Sequence, residues 1–389
     1  MRVRCVAVSV ALVALTACNA GGGAPTMPTT VDPNRTTPPP TTSAPARDVA
    51  LETWEQLTTE QRAGQLIMVA VHAGQAQDAT RALVADRGVG SVILLGNTWG
   101  GATAVGKTSA ALQALAGPVP LFVATDQEGG RVQHLTGPGF STIPSALKQG
   151  AMTPQDLRTA AKGWGTELGG AGVNFDLAPV LDLVEPAART TNDPVGVLER
   201  DFGHDGPGNA ASARAFLAGM HDAGVATCVK HFPGLGMVTG NTDFTAKGIV
   251  DTRTTTTSAS VLSFGAVLDN KPTAVMMSLA TYEKIDPAGP AAFSSVVVTG
   301  LLRGELGWDG LVVSDSLDAV AVTSVPAKHR ALRFVTAGGD LAIFASAQSA
   351  SAALDGLLAA AAADPAVAEA IDRASLRVIR AKAATGLLG

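Results

Sequence analysis

Three apolar runs in this 389-residue chain end abruptly in charge: Leu121-Phe122-Val123-Ala124-Thr125-Asp126, Ala226-Thr227-Cys228-Val229-Lys230-His231 and Leu311-Val312-Val313-Ser314-Asp315. Carboxylates and cations gathered in one place suit sugar chemistry. A carboxylate can attack an anomeric carbon, while Asp and Lys hydrogen-bond the many hydroxyls of the ring. Any one of these residues could equally be a strand-end charge in a structural ion pair, and it is the three ends together that argue for a site. Other chemistries find less support. No C-x-x-C pair or H-E-x-x-H run has metal-ligand spacing, the six histidines are scattered, and Cys5, Cys18 and Cys228 are too few for a disulfide framework. Neither a metal nor a cofactor is expected. No G-x-S-x-G elbow suggests a serine nucleophile. Gly101 to Thr108 does fit G-x-x-x-x-G-K-[ST], with Asp126 as a candidate Walker B carboxylate. A phosphate loop follows its strand at once, however, and here Gly96-Asn97-Thr98-Trp99-Gly100 intervenes, so the segment reads more simply as the start of a surface helix.

The elements that must position these residues alternate along the chain. Short apolar, β-branched runs occur at Leu66 to Val71, Ser91 to Leu95, Pro120 to Thr125, Gly172 to Ala178, Val225 to Val229, Thr273 to Met277, Gly310 to Val313 and Leu341 to Phe344. Helical stretches such as Thr103 to Leu115 and Ala210 to Ala223 lie between them, and Thr58 with Gln61 reads as a capping box. Nearly uninterrupted apolar strands alternating with helices imply a parallel sheet covered on both faces. Eight such units favour an α/β fold of the TIM-like (β/α)₈ barrel type as a single catalytic domain; a doubly wound sheet is the rival, because periodicity cannot tell closed from open. In a barrel all C-terminal strand ends reach one rim, so Asp126, Lys230, His231 and Asp315 would converge there.

Composition and the N-terminus set the context. With 46% hydrophobic and 16% charged residues the bulk of the chain folds, and by length it is one large domain or two ordinary ones. A net charge of −5, a pI near 5.7 and no Lys/Arg cluster argue against a nucleic-acid partner. Arg2 and Arg4 precede an apolar run from Cys5 to Ala17 that is too short to span a hydrocarbon core about 30 Å thick and reads as a signal peptide. Its end, Leu15-Thr16-Ala17-Cys18, resembles a bacterial lipobox, which would make Cys18 the lipidated residue and residues 1–18 the leader. Residues 19–47, rich in Gly, Pro, Thr and Ser, read as a disordered tether, and residues 48–389 are expected to be the catalytic domain. The expected location is the outer face of the bacterial cell membrane, with contact through the lipid anchor alone.

Asp126-Gln127-Glu128-Gly129-Gly130-Arg131-Val132-Gln133, the stretch from Gly172 to Asp182, and Lys230-His231-Phe232-Pro233-Gly234 resemble family-3 glycoside hydrolases, most closely the NagZ-type β-N-acetylglucosaminidase branch. The resemblance runs in order from about Leu57 to the C-terminus. It implies a TIM-like barrel with Asp315 as nucleophile, and Asp126, Arg200, Lys230 and His231 as the residues that hold sugar hydroxyls, with Glu128 and Arg131 bracing the loop. The chain departs from the branch where protons move. Asn241-Thr242-Asp243 stands where D-S-H supplies an acid/base histidine, Leu235 replaces the histidine of P-G-H-G, His134 replaces a sugar-binding arginine, and Leu279 replaces the histidine of V-M-V-S-H. Asp243 could act as the acid/base directly, or merely cap a turn after Asn241. The resulting expectation is a cofactor-free retaining exo-glycosidase on terminal β-linked N-acetylglucosamine, with peptidoglycan fragments as a source of substrate and His134 among the binding residues. The alternative is a sugar-binding lipoprotein that kept the pocket and lost turnover.

Overall fold

The computed structural model describes residues 48–73, 78–97, 99–203 and 205–388. Eight strands form a closed barrel: β1 (Ile67–His72), β2 (Ser91–Leu95), β3 (Phe122–Thr125), β4 (Phe175–Asp176), β5 (Ala226–Phe232), β6 (Ala274–Met277), β7 (Leu311–Ser316) and β8 (Leu341–Phe344). Each pairs in parallel with its neighbours in chain order. β1 then pairs with β8, Ile67 opposite Ala342, which closes the sheet and excludes the doubly wound rival. Every one of the eight apolar runs overlaps a barrel strand, three of which extend one to three residues past the C-terminal end of the run, because a strand covered inside and outside has no polar face to break its pattern. The lipobox and tether readings, Cys18 included, fall on residues 1–47 and lie outside the described residues.

Strand parity decides what enters the barrel. Phe122 and Ala124 of β3, Ala226 and Cys228 of β5, and Leu311 and Val313 of β7 belong to the interior cluster, whereas Val123, Val229 and Val312 pack outward against the helices. Side chains alternate with period two, so the next inward positions at the C-terminal ends are Asp126, Lys230 and Asp315. Below them the barrel is filled, with the rings of Phe122 and Phe175 4.9 Å apart. The helix Pro365–Ala384 closes the opposite end. It contributes Val378 to the interior cluster, and its Lys382 donates to Gln65 Oε1 (2.8 Å) and to the Gly90 carbonyl (2.7 Å), both beside the starts of strands.

Local signals behave as their chemistry requires. The Thr58 hydroxyl accepts from the Gln61 N–H at 3.2 Å and the Gln61 side chain accepts from the Thr58 N–H at 2.9 Å, completing the capping box. The P-loop lookalike is already helical from Ala102, so no loop of backbone N–H groups is left to cradle phosphate. Gly101 precedes that helix at φ +90°, and a Cβ there would lie 2.5 Å from the Pro138 carbonyl oxygen. Two small additions follow the C-terminal ends of barrel strands: a hairpin of Gln127–Gly129 with Val132–Gln133, and a three-stranded sheet of Val250–Asp251, Thr281–Tyr282 and Asp286–Pro290. The second carries Tyr282, whose buried hydroxyl donates to the Gly234 carbonyl at 2.8 Å and so steadies the segment after β5.

Candidate active site

Lys230 rises from the inward face of β5 into a ring of carboxylates. Its Nζ lies 2.5 Å from Asp126 Oδ1 and 2.6 Å from Glu128 Oε1. Glu128 also receives Arg200, Nε to Oε2 at 2.8 Å and Nη2 to Oε1 at 2.7 Å, a bidentate pair. The two middle members of this chain of charges, Lys230 and Glu128, are buried, and in such a setting unpaired charge would be very costly. The pairing overcomes that cost. Burial pulls the Lys230 ammonium pKa down, but Asp126 and Glu128 outweigh it and leave it raised. Burial likewise pushes Glu128 up, and Arg200 with Lys230 more than reverse this, so its carboxylate is held well below the usual range. Lys230 has three N–H donors and uses two here, which leaves one for a ligand. Asp126 is the open member of the cluster, its side chain 19% exposed against 2% for Lys230.

His231 is fixed from behind. Its Nδ1 lies 2.7 Å from Asp182 Oδ2, while Oδ1 of the same fully buried carboxylate accepts the N–H groups of His231 (3.3 Å) and Leu235 (2.7 Å). A carboxylate on Nδ1 favours the tautomer that leaves Nε2 as an acceptor, and Arg200 Nη2 stands 3.4 Å from that Nε2. Asp126, Arg200, Lys230 and His231 thus form one connected group. Arg200 has most of its fork committed, to Glu128 and to the Pro194 carbonyl (2.7 Å), so it aligns the cluster as much as it offers donors.

Asp315 reaches the same mouth from β7. It is half-buried, its Oδ1 accepts the Ser316 N–H at 2.8 Å, and among the described residues its Oδ2 has no hydrogen-bond partner. Asp243 comes from the loop after β5. That loop is closed on itself by the Thr239 and Gly240 N–H groups, which both donate to the Gly248 carbonyl at 2.9 Å, and by Asn241 Oδ1, which accepts the Asp243 N–H at 3.0 Å. It is also tied to the segment after β7, where Val320 N–H donates to the Asp243 carbonyl (3.3 Å) and Ala321 N–H to that of Thr242 (3.1 Å). The Asp243 residue is exposed, yet its carboxyl is crowded by the rim. Desolvation first and the Asp315 charge second push its pKa up to about 6, against the pull of Arg200 and His231. The turn is thus capped by the Asn241 side chain, with the Asp243 N–H as donor, and the Asp243 carboxyl is not the capping group.

Other expectations resolve differently. His134 is half-buried beside Asp126, its Nδ1 3.1 Å from Asn97 Oδ1. Leu235 and Leu279 are fully packed apolar residues. Arg131 was expected to brace the loop, but it is exposed and lines an open groove with Asn97, Gln133 and Phe140. The bracing falls to Glu128 and Gln149, whose Nε2 donates to the Glu128 carbonyl at 2.7 Å. Sequence reasoning assigned no role to Asp182 or Asp176, although both lie within the quoted Gly172–Asp182 motif. Asp176 is fully buried near Lys230, Asp126 and Glu128, its Oδ1 accepts the Gln127 N–H at 3.0 Å, and burial pushes its pKa up to about 8, so at neutral pH it is mostly the uncharged acid. Acidic residues embedded in an otherwise apolar run were the available signal.

Comparison with known proteins agrees with this geometry. Residues 58–381 match the model of the glycosyl hydrolase family 3 N-terminal domain. The beta-hexosaminidase LpqI of Mycobacterium tuberculosis is 30% identical over 403 aligned residues that cover 97% of each chain. A beta-hexosaminidase of Alkalilimnicola ehrlichii is 33% identical over 71% of this chain and 79% of its own. Among solved structures, the beta-N-acetylhexosaminidase of Beutenbergia cavernae superposes with a TM-score of 0.82 at 45% identity, covering 85% of this chain and 99% of that one. With a family match that spans the barrel from its first capping box to its closing helix, and with a carboxylate-rich rim of the kind sugar chemistry needs, the chain belongs to glycosyl hydrolase family 3.

Proposed function

We propose that this protein is a retaining exo-β-N-acetylhexosaminidase in which Asp315 is the nucleophile and Asp243 the acid/base. The observation that carries the reading is a pair of carboxyl groups at one rim, one half-buried on a strand end and the other raised to about 6 partly by the first one's charge. A terminal sugar held by Asp126, Lys230, His231 and Arg200 presents its anomeric carbon to Asp315. The Asp315 oxygen attacks that carbon, the bond to the leaving oxygen breaks, and Asp243 gives that oxygen its proton. Esterification then removes the negative charge of Asp315. The second-largest cause of the raised Asp243 pKa disappears with it, and Asp243 becomes a carboxylate able to take a proton from water. The water oxygen attacks the same carbon, releasing Asp315 and a sugar of retained configuration. Preference for an N-acetyl group is supported by the names of the relatives and by the solved neighbour.

Lipidation of Cys18 and action on peptidoglycan-derived or related envelope glycans complete the proposal; they rest on the lipobox and on the tether composition. A panel of nitrophenyl glycosides tests the reading. The β-N-acetylglucosaminide should be turned over with the highest kcat/KM. A preference for the plain β-glucoside by about tenfold, roughly 1.4 kcal/mol of transition-state binding, would contradict it, and absence of turnover on all members would favour a sugar-binding protein instead.

A further inference from the structure

The residue after Asp243 is Phe244, and 80% of its surface faces water. Among the described aromatic residues it is the only one classed as exposed; the others are buried or half-buried. Its exposure does not come from a frayed tip. The Phe244 and Thr245 N–H groups both donate to the Asn241 carbonyl at 3.0 Å, and the neighbouring residues are tied to the segment after β7. That segment adds Val320, 39% exposed, whose N–H donates to the Asp243 carbonyl. Two exposed apolar residues thus adjoin the Asp243 backbone, Phe244 as its chain neighbour and Val320 through its N–H bond to the Asp243 carbonyl.

We propose that Phe244, flanked by Val320, is the platform of the leaving-group subsite, on which the apolar face of the saccharide leaving through the scissile oxygen rests. The inference builds on Asp243 as the proton donor. A proton donor must face the oxygen that joins the two sugars. The sugar on the enzyme's inner side is engaged by the buried group around Lys230, so the outward neighbour of Asp243 meets the departing one. The chemistry of the patch selects its occupant. A pyranose has C–H bonds on one face that pack against an aromatic ring, with its hydroxyls directed at the edges toward water. Two side chains are far too small an area for a stable protein interface, which needs roughly 800 Å² per partner.

The test compares a substrate whose leaving group is a sugar with one whose leaving group is too small to reach the ring. For the parent, F244A and F244W, kcat/KM is measured on N,N′-diacetylchitobiose and on methyl β-N-acetylglucosaminide. The ratio of the two values should fall about five- to tenfold in F244A, the scale of one aromatic stacking contact, and recover in F244W. An unchanged ratio, whether both substrates are lost equally or neither is, would overturn the platform while leaving the Asp315 and Asp243 assignments standing. A parent that turns over neither substrate would overturn the underlying reading, and the platform with it.

Discussion

In the proposed cycle Asp243 donates a proton in one half and accepts one in the other, with no histidine in the slot to help it. A pKa of about 6 in the free protein suits the first task, since a useful fraction remains protonated just below neutrality. Activity on unactivated saccharides should therefore fall as pH rises through about 6, because the carboxylate form has no proton to give. Asp243→Ala should slow a disaccharide by about 10² to 10⁴-fold, the usual contribution of general acid catalysis, while sparing formation of the glycosyl-enzyme from nitrophenyl substrates, whose leaving group departs with little protonation. Azide, a nucleophile that needs no deprotonation, should then restore turnover of the aryl substrate and yield a β-glycosyl azide. Disaccharide hydrolysis within about a factor of three of the parent would make Asp243 a bystander. At this scale the strand-end charges Asp126, Lys230, His231 and Asp315 were legible because each terminates an apolar run. Glu128 was not. Its partners, Arg200 and Lys230, lie 72 and 102 positions away in the chain, and only the closed barrel brings them to it.

The elements themselves were easier to read than the contacts between them. Parallel barrel strands are apolar on both faces, so even β4, which has only two paired residues, lies inside an evident run from Gly172 to Ala178. The π-helical turns of Val296–Glu305 were hidden, because helical periodicity barely changes over ten residues. So was the plug at the far end of the barrel. Lys382 is fully buried on the C-terminal helix, its Nζ 5.5 Å from the centre of the Phe122 ring, with carbonyl oxygens as its acceptors. Burial pulls its pKa down from 10.5 to about 7. Between those two values the unfolded chain binds a proton that the folded chain does not, so this group makes stability rise with pH across that window and lowers it below. Denaturant unfolding at pH 7 and at pH 9.5 should show the parent gaining, from Lys382, on the order of 1 kcal/mol or more over that interval, and Lys382→Met lacking this gain. Equal pH dependence in both proteins would mean the ammonium stays charged in the folded state, held by Gln65 and Gly90.

At the scale of the whole molecule, one end of the barrel is sealed for stability and the other is open and charged, the division of labour expected of this fold. The N-terminal segment bears on where that open end works. Because one short apolar run with a basic start ends in Leu-Thr-Ala-Cys, Cys18→Ala should abolish labelling by a fatty-acid analogue and release the protein from the membrane fraction; continued labelling would refute the anchor. The proposed chemistry stands on Asp315, and covalent trapping tests it most directly. After treatment with a fluorinated N-acetylglucosaminyl fluoride, whose glycosyl-enzyme forms faster than it hydrolyses, mass spectrometry of the digested protein should find the added sugar on the Asp315 carboxyl, and Asp315→Asn should take up none. A sugar attached to any other carboxylate, or turnover by the Asn variant comparable to the parent, would contradict the account.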